Sequence, residues 1–194
     1  MNNSIDAVLG NVMGGESYYD PTLDTPNIIA PEGEYYAHIK DFTMKADVVI
    51  KNKYMADIYN LNFKLAPENA DKAFNGVSGS MFVGKLIKSK GFFRFKNPNS
   101  PNLEPHSGGN REFKEVLESL GISPEEKEIE GKKVFVLPTF TPENTEGKPV
   151  IIKVKHESWL NREGEEMKTP KAINVFSWTN GKVDVSDFAG TGLT

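Results

Sequence analysis

The chain contains no cysteine, and only three of its 194 residues are histidines. Structural disulfides, thiol catalysis and cysteine-ligated zinc are therefore excluded. No stretch approaches the roughly 18 consecutive apolar residues that a membrane-spanning helix needs. Residues 1–15 also lack the basic start and long apolar region of a secretory signal. We therefore expect a soluble, cytoplasmic protein that does not associate with membranes.

Motifs that mark common catalytic sites are equally scarce. His38, His106 and His156 are isolated from one another, and the sequence has no HExxH, P-loop or GxGxxG motif. We therefore expect no enzymatic activity, no metal and no cofactor. A metal-dependent nuclease would use carboxylates that converge from separate strands, and the sequence leaves this alternative open.

Basic residues are outnumbered, with 23 lysines and arginines against 27 aspartates and glutamates and a formal net charge of −4. The molecule as a whole repels a polyanion, so any binding of nucleic acid must depend on a local basic patch. The 17 glycines and 12 prolines favour a turn-rich β protein. The length suits one large domain with a proper core.

Residues 84–96, GKLIKSKGFFRFK, form a run of five basic residues and three phenylalanines without an acid. If the run is extended, its side chains alternate between faces, with Lys88, Lys90, Phe92, Arg94 and Lys96 on one and Ile87, Phe93 and Phe95 on the other. The first face suits single-stranded nucleic acid, because cations neutralise phosphates and a ring stacks on a base. A merely solvated lysine face is the alternative, and a turn at Lys90-Gly91 would break the alternation.

The order of predicted elements favours a small barrel. Strands are expected around residues 33–46, 53–66 and 84–96, and again near 150–159 and 173–178. Apolar residues at helical spacing predict one helix at 110–120, between the third and fourth strand regions. A five-stranded OB barrel shows this order. We therefore predict a mainly β fold with one helix, an OB-fold domain at residues 31–178, an N-terminal arm at 1–30 and a C-terminal tail at 179–194.

Five segments act as landmarks: PEGEY at 31–35, NREFKEVLESLGI at 110–122, GKPVIIKVKHESW at 147–159, NREGEEM at 161–167 and INVFSW at 173–178. Together they resemble phage-encoded single-stranded DNA-binding proteins of the OB-fold type. The resemblance implies a protein that coats displaced strands without a metal or nucleotide cofactor. In such families an acidic C-terminal tail often recruits replication enzymes. Here Asp184 and Asp187 lie near Phe188, but no run of acids ends the chain.

The predicted binding residues follow from this fold. An OB barrel binds its ligand on the face of its second and third strands and on the loops between strands one and two and strands four and five. Mapped onto this chain, those regions contribute Lys51, Lys53, Tyr54, Lys88, Lys90, Phe92, Arg94, Lys96, Trp159, Arg162 and Lys168. Phe92 is the preferred stacking residue. For Trp159, packing in the core or at a strand end is the alternative.

The function expected from these observations is sequence-tolerant binding and protection of single-stranded DNA during phage DNA replication or recombination, in the cytoplasm of the host cell. The expected partners are single-stranded DNA and, through the tail, replication or recombination proteins. A homo-oligomer is left open. The alternative is a β-rich structural or assembly protein of a virus particle, whose aromatic residues pack internally and whose lysines are only a soluble surface.

Overall fold

The structure is a computed structural model that describes residues 28–184. The predicted arm lies outside the described residues except for 28–30, and so does the predicted tail except for 179–184. The strands are β1 (Gly33–Ile50), β2 (Tyr54–Leu65), β3 (Ala73–Phe74), β4 (Val77–Ser78), β5 (Leu86–Ser89), β6 (Phe92–Lys96), β7 (Glu125–Ile129), β8 (Lys132–Val136), β9 (Pro149–Leu160) and β10 (Glu166–Ser177). The α-helices are α1 (Arg111–Ser119) and the short α2 (Pro142–Thr145).

Five strands close into a ring. β1 pairs with both β2 and β9, β9 pairs with β10, and β2 pairs with β5, all antiparallel. A short parallel contact between β10 and β5 closes the circle, with Lys171 opposite Lys88 and Ala172 opposite Ser89. β6 continues along β2 beyond the end of β5. The structure thus confirms the prediction of a mainly β protein, with a barrel-like sheet.

The core fills the inside of this ring. Along each strand alternate side chains point inward, as the period of two in a β-strand requires. The largest fully buried side chains are Tyr35, Ile39, Tyr59, Leu61, Phe63, Leu65, Phe82, Phe92, Phe113, Leu117, Val150 and Ile152. Removal of this apolar surface from water is the main force that holds the ring together.

The predicted helix is present between the third and fourth strand regions and covers part of the ring. α1 packs against β6 and β10, and it buries Phe113, Val116 and Leu117. The ring centroid of Phe113 lies 5.2 Å from that of Tyr59 and 5.0 Å from that of Phe140. The helix ends at Ser119, and Gly121, two residues later, has a φ of 72°, which glycine adopts at little steric cost.

One extra residue interrupts the third strand region. β2 advances three residues from Asn62 to Tyr59, while the facing strand advances four from Lys88 to Phe92. The extra residue is accommodated at Lys90 and Gly91, where Gly91 has a φ of 95°. Because side chains alternate with a period of two, one added residue moves every later side chain to the other face. The single alternating face predicted for residues 88–96 is therefore wrong.

Two small hairpins lie outside the ring. β3 pairs with β4, and β7 pairs with β8. The β7–β8 hairpin follows α1, and every side chain of β7 is exposed. It carries Phe135, which is 71% exposed.

Candidate nucleic-acid interface

Phe92 lies in the core and not on the surface. Its side chain is fully buried, and it faces Tyr59 of β2 inside the ring. The prediction that Phe92 stacks on a base is therefore wrong. The physical reason is the added residue at Lys90 and Gly91, which turns Phe92 inward after Lys88 has pointed outward.

The same shift brings the two neighbouring phenylalanines to the outer face. Phe93 is opposite Ile58 and Phe95 is opposite Ala56, and both phenylalanines are half-buried. Their ring centroids lie 6.0 Å apart and their planes differ by 20°. The alternation expected from the sequence places both rings in the core instead. The positive φ that glycine permits at Gly91 was the one local signal for the change of face.

A second pair of rings extends this surface. The His106 ring lies 4.5 Å from the rings of both Tyr54 and Phe95. A side chain at Gly109 would come within 2.5 Å of the Phe95 ring, so glycine there lets the loop approach it. We call Tyr54, Phe93, Phe95 and His106 the outer aromatic strip. It places the predicted residue Tyr54 among rings that the sequence did not single out.

Asn110 fixes the edge of β6 beside this strip. Its side-chain amide donates to the carbonyl of Phe95 at 3.0 Å and accepts the backbone N–H of Phe95 at 2.7 Å. The side chain thus takes the place of a neighbouring strand at that residue. This satisfies two backbone groups that β2 does not reach and holds the Phe95 backbone in place.

Three of the predicted cations are neutralised within the protein. Lys90 pairs with Glu112 at 2.5 Å, and Arg94 pairs with Asp57 at 3.3 Å. Lys96 pairs with Asp47 at 2.8 Å and with Asp57 at 2.7 Å. These two carboxylates accept hydrogen bonds from the ammonium group and raise the pKa of Lys96. Of the predicted third-strand cations, only Lys88 has no ion pair within residues 28–184.

Asp57 is the residue that sequence reasoning missed. Its side chain is 5% exposed, and it accepts hydrogen bonds from Arg94 and from the backbone N–H of Asp47. Arg94 is held further by the carbonyl of Leu137, to which its Nη2 donates at 3.0 Å. A signal was present in the sequence, because Asp57 interrupts the apolar face that Met55 and Tyr59 share along β2.

The turn between β1 and β2 presents two of the predicted lysines. Lys51 and Lys53 are exposed. Lys51 and Asn52 have φ values of 51° and 56°, and the N–H of Lys53 donates to the carbonyl of Ile50 at 3.0 Å. Two successive residues of positive φ make the tight turn that joins antiparallel strands. Tyr54 follows Lys53 directly in the chain, so the turn adjoins the start of the outer aromatic strip.

The β9–β10 hairpin carries the remaining predicted residues. Trp159 is 51% exposed and faces Met167, and its indole N–H donates to the hydroxyl of Thr169 at 3.3 Å. Arg162 is exposed in the turn, and Lys168 is exposed on β10. The structure thus keeps Trp159 out of the core and leaves a ring open at this hairpin.

The described part of the chain lacks two other kinds of feature. Between residues 28 and 184 there is no group of three histidine, aspartate or glutamate side chains that could hold a metal ion. No helix in that range is long and apolar enough to cross a membrane.

No protein-family model matches the chain, and no curated protein matches it either.

Proposed function

We propose that the protein binds single-stranded DNA without sequence preference and without catalysis, through the outer face of β2 and β6. The observation that carries this proposal is the outer aromatic strip, which lies on the surface of the sheet beside the exposed lysines of the β1–β2 turn. Stacking of a base on an aromatic ring contributes roughly 1–3 kcal/mol and depends little on which base is present. Lysines beside the rings supply the attraction to phosphate.

The topology supports an OB-fold. In chain order, the fold has three strand regions, one helix and two further strands. The strands form a ring that the β5–β10 contact closes. In an OB-fold, the second and third strands and the loops after the first and fourth strands bind oligonucleotides. In this chain those regions are β2 with β5 and β6, the turn at Lys51 and Lys53, and the β9–β10 hairpin. The resemblance to phage single-stranded DNA-binding proteins points to the same role, protection of displaced strands during replication or recombination.

The ion pairs within the protein decide which cations are available to bind phosphate. Lys90, Arg94 and Lys96 have carboxylate partners, so a phosphate would have to compete for them. The exposed lysines of the β1–β2 turn, with Arg162 and Lys168 on the second hairpin, have no ion pair within the described range 28–184. We assign the phosphate contacts of the interface chiefly to these residues.

Fluorescence anisotropy tests the proposal with an oligo-dT and a duplex of equal length at low salt. We expect the protein to prefer the single strand. The substitution Phe93→Ala should weaken binding of the single strand about tenfold, because the loss of one stacked base costs roughly 1–3 kcal/mol. Phe176→Ala is the matched control, since it truncates a phenylalanine that is 43% exposed near the end of β10, away from the β9–β10 turn. It should leave the affinity unchanged.

A rival function has one observation in its favour. Ile129 and Phe135 on the β7–β8 hairpin are 53% and 71% exposed, which suits contact with another protein. A β-rich structural or assembly module would use such a surface and would have no need of nucleic acid. Absence of binding to either oligonucleotide at low salt would favour this rival over DNA binding.

A further inference from the structure

Three lysines lie in register across three neighbouring strands of the ring. Lys171 on β10 is the direct neighbour of Lys88 on β5 and of Lys155 on β9. The residues next to them, Ala172, Ser89 and Val154, are buried in the core. Because side chains alternate along a strand, the three lysines point to the outer surface. We call Lys88, Lys155 and Lys171 the lysine row.

Such an arrangement opposes the stability of the sheet. Like charges directly opposite each other on adjacent strands are destabilising. Neighbouring strands are about 4.8 Å apart, so the backbones of the three lysines lie within about 10 Å across the sheet. Repulsion among the three lysines lowers the stability of the free protein. Such an arrangement is expected at a site where a bound anion offsets the repulsion.

The acids nearby neutralise little of this charge. Glu157 approaches Lys171 only to 4.0 Å. The charges of Glu32 and Lys155 interact, but the two form no ion pair within the described residues, and the Glu32 carboxylate instead accepts the backbone N–H of His156 at 2.9 Å. Lys88 and Lys155 have no ion pair with any residue between 28 and 184, in contrast to Lys90 and its close partner Glu112. Within the described chain the row therefore keeps an excess of positive charge.

The shape of the surface indicates what kind of anion fits. A small molecule needs a concave site that encloses most of its surface, whereas the row lies across the outside of the ring. An extended polyanion can follow it from strand to strand. The row and the outer aromatic strip lie on the same sheet, since Lys88 is opposite Asn62 and Phe93 is opposite Ile58, about 13 Å apart along β2.

We propose that the lysine row binds the backbone phosphates of a single strand where that strand leaves the outer aromatic strip. The footprint on the protein then runs from β6 across β5 and β10 to β9. This inference rests on the proposed function and adds to it a second contact that does not depend on bases. Contact with phosphate alone makes this part of the binding strongly dependent on salt.

The test compares two lengths of oligo-dT, about 5 and about 15 nucleotides, which bracket the site sizes of OB-folds. The variant carries Lys88→Gln, Lys155→Gln and Lys171→Gln. For the long oligonucleotide, the slope of log affinity against log salt should become shallower by about 2, since each neutralised phosphate contributes about 0.7. Binding of the short oligonucleotide should remain as in the wild type. The thermal midpoint should not fall, because the change removes repulsion between neighbours.

A control variant separates the row from total charge. Lys114→Gln, Lys127→Gln and Lys133→Gln remove the same charge from α1 and the β7–β8 hairpin, where each lysine has an acidic partner. The control should bind both oligonucleotides with the wild-type slope. An unchanged slope for the row variant with the long oligonucleotide, or an equal loss with both lengths, would overturn the inference while the proposed function stands. Failure of the wild-type protein to bind either length would overturn both.

Discussion

At the scale of single residues, two buried tyrosines differ in one hydrogen bond. The hydroxyl of Tyr35 donates to the carbonyl of Pro31 at 2.7 Å. The hydroxyl of Tyr59 has no partner among the residues that the structure describes. Burial raises the pKa of Tyr35 to about 12 and raises the pKa of Tyr59 as well. Both side chains are therefore neutral at pH 7, and the two differ in whether the hydroxyl is satisfied.

Tyr59→Phe should stabilise the protein. A buried polar group without a partner costs about 1–3 kcal/mol, so its removal should raise the free energy of unfolding by about 1 kcal/mol. Tyr35→Phe loses a hydrogen bond and should lower the free energy of unfolding by a similar amount. Urea denaturation of both variants measures the contrast. A loss of stability in Tyr59→Phe as large as in Tyr35→Phe would show that the Tyr59 hydroxyl is satisfied in solution.

At the scale of elements, the edge of β6 depends on one side chain. Asn110→Ala removes both hydrogen bonds to the Phe95 backbone. We expect the free energy of unfolding to fall by about 1–2 kcal/mol, and we expect binding of oligo-dT to weaken because Phe95 is less firmly held. Chemical denaturation and anisotropy measure the two effects.

Asn99→Ala is the control for this change, because Asn99 is exposed in the preceding loop. It should alter neither stability nor affinity. If Asn110→Ala behaved like Asn99→Ala, water would be an adequate replacement for the amide, and the edge of β6 would not depend on it.

The elements also show what the sequence could and could not predict. The strand regions and α1 follow from local periodicity, which the chain displays clearly at Phe113, Val116 and Leu117. The added residue at Gly91 is decided by pairing with β2, about 30 residues away, and pairing at that distance leaves no periodic trace. The prediction therefore had the third strand region in the right place and its rings on the wrong faces.

The acidic partners of the cations could not be predicted either, because they too depend on pairing between strands that are distant in sequence. Asp57 and Arg94 are brought together by the register of β2 and β6. Composition and spacing within residues 84–96 show a basic run, but they carry no information about acids that arrive from another strand. A predicted charge cluster thus becomes a binding site only after pairing has decided which charges remain available.

At the scale of the whole molecule, the net charge is −4. The phosphates of DNA must therefore compete with the protein's own carboxylates for its lysine and arginine side chains. Asp47 is the most accessible of these competitors at the interface. Its side chain is 64% exposed and lies 2.8 Å from the ammonium of Lys96, one residue beyond Phe95. Its φ of 54° is a conformation that asparagine also adopts readily.

Asp47→Asn should therefore strengthen the binding of oligo-dT without disturbing the fold. An exposed ion pair contributes about 0–1 kcal/mol, so removal of one of the two carboxylates that hold Lys96 should raise the affinity by up to about fivefold at low salt. The gain should shrink as salt screens the charges. Asp71→Asn makes the same change in net charge at an exposed position before β3 and should raise affinity far less. Equal gains in the two variants, measured by anisotropy, would mean that total charge governs binding and that the pairing of Lys96 with Asp47 does not.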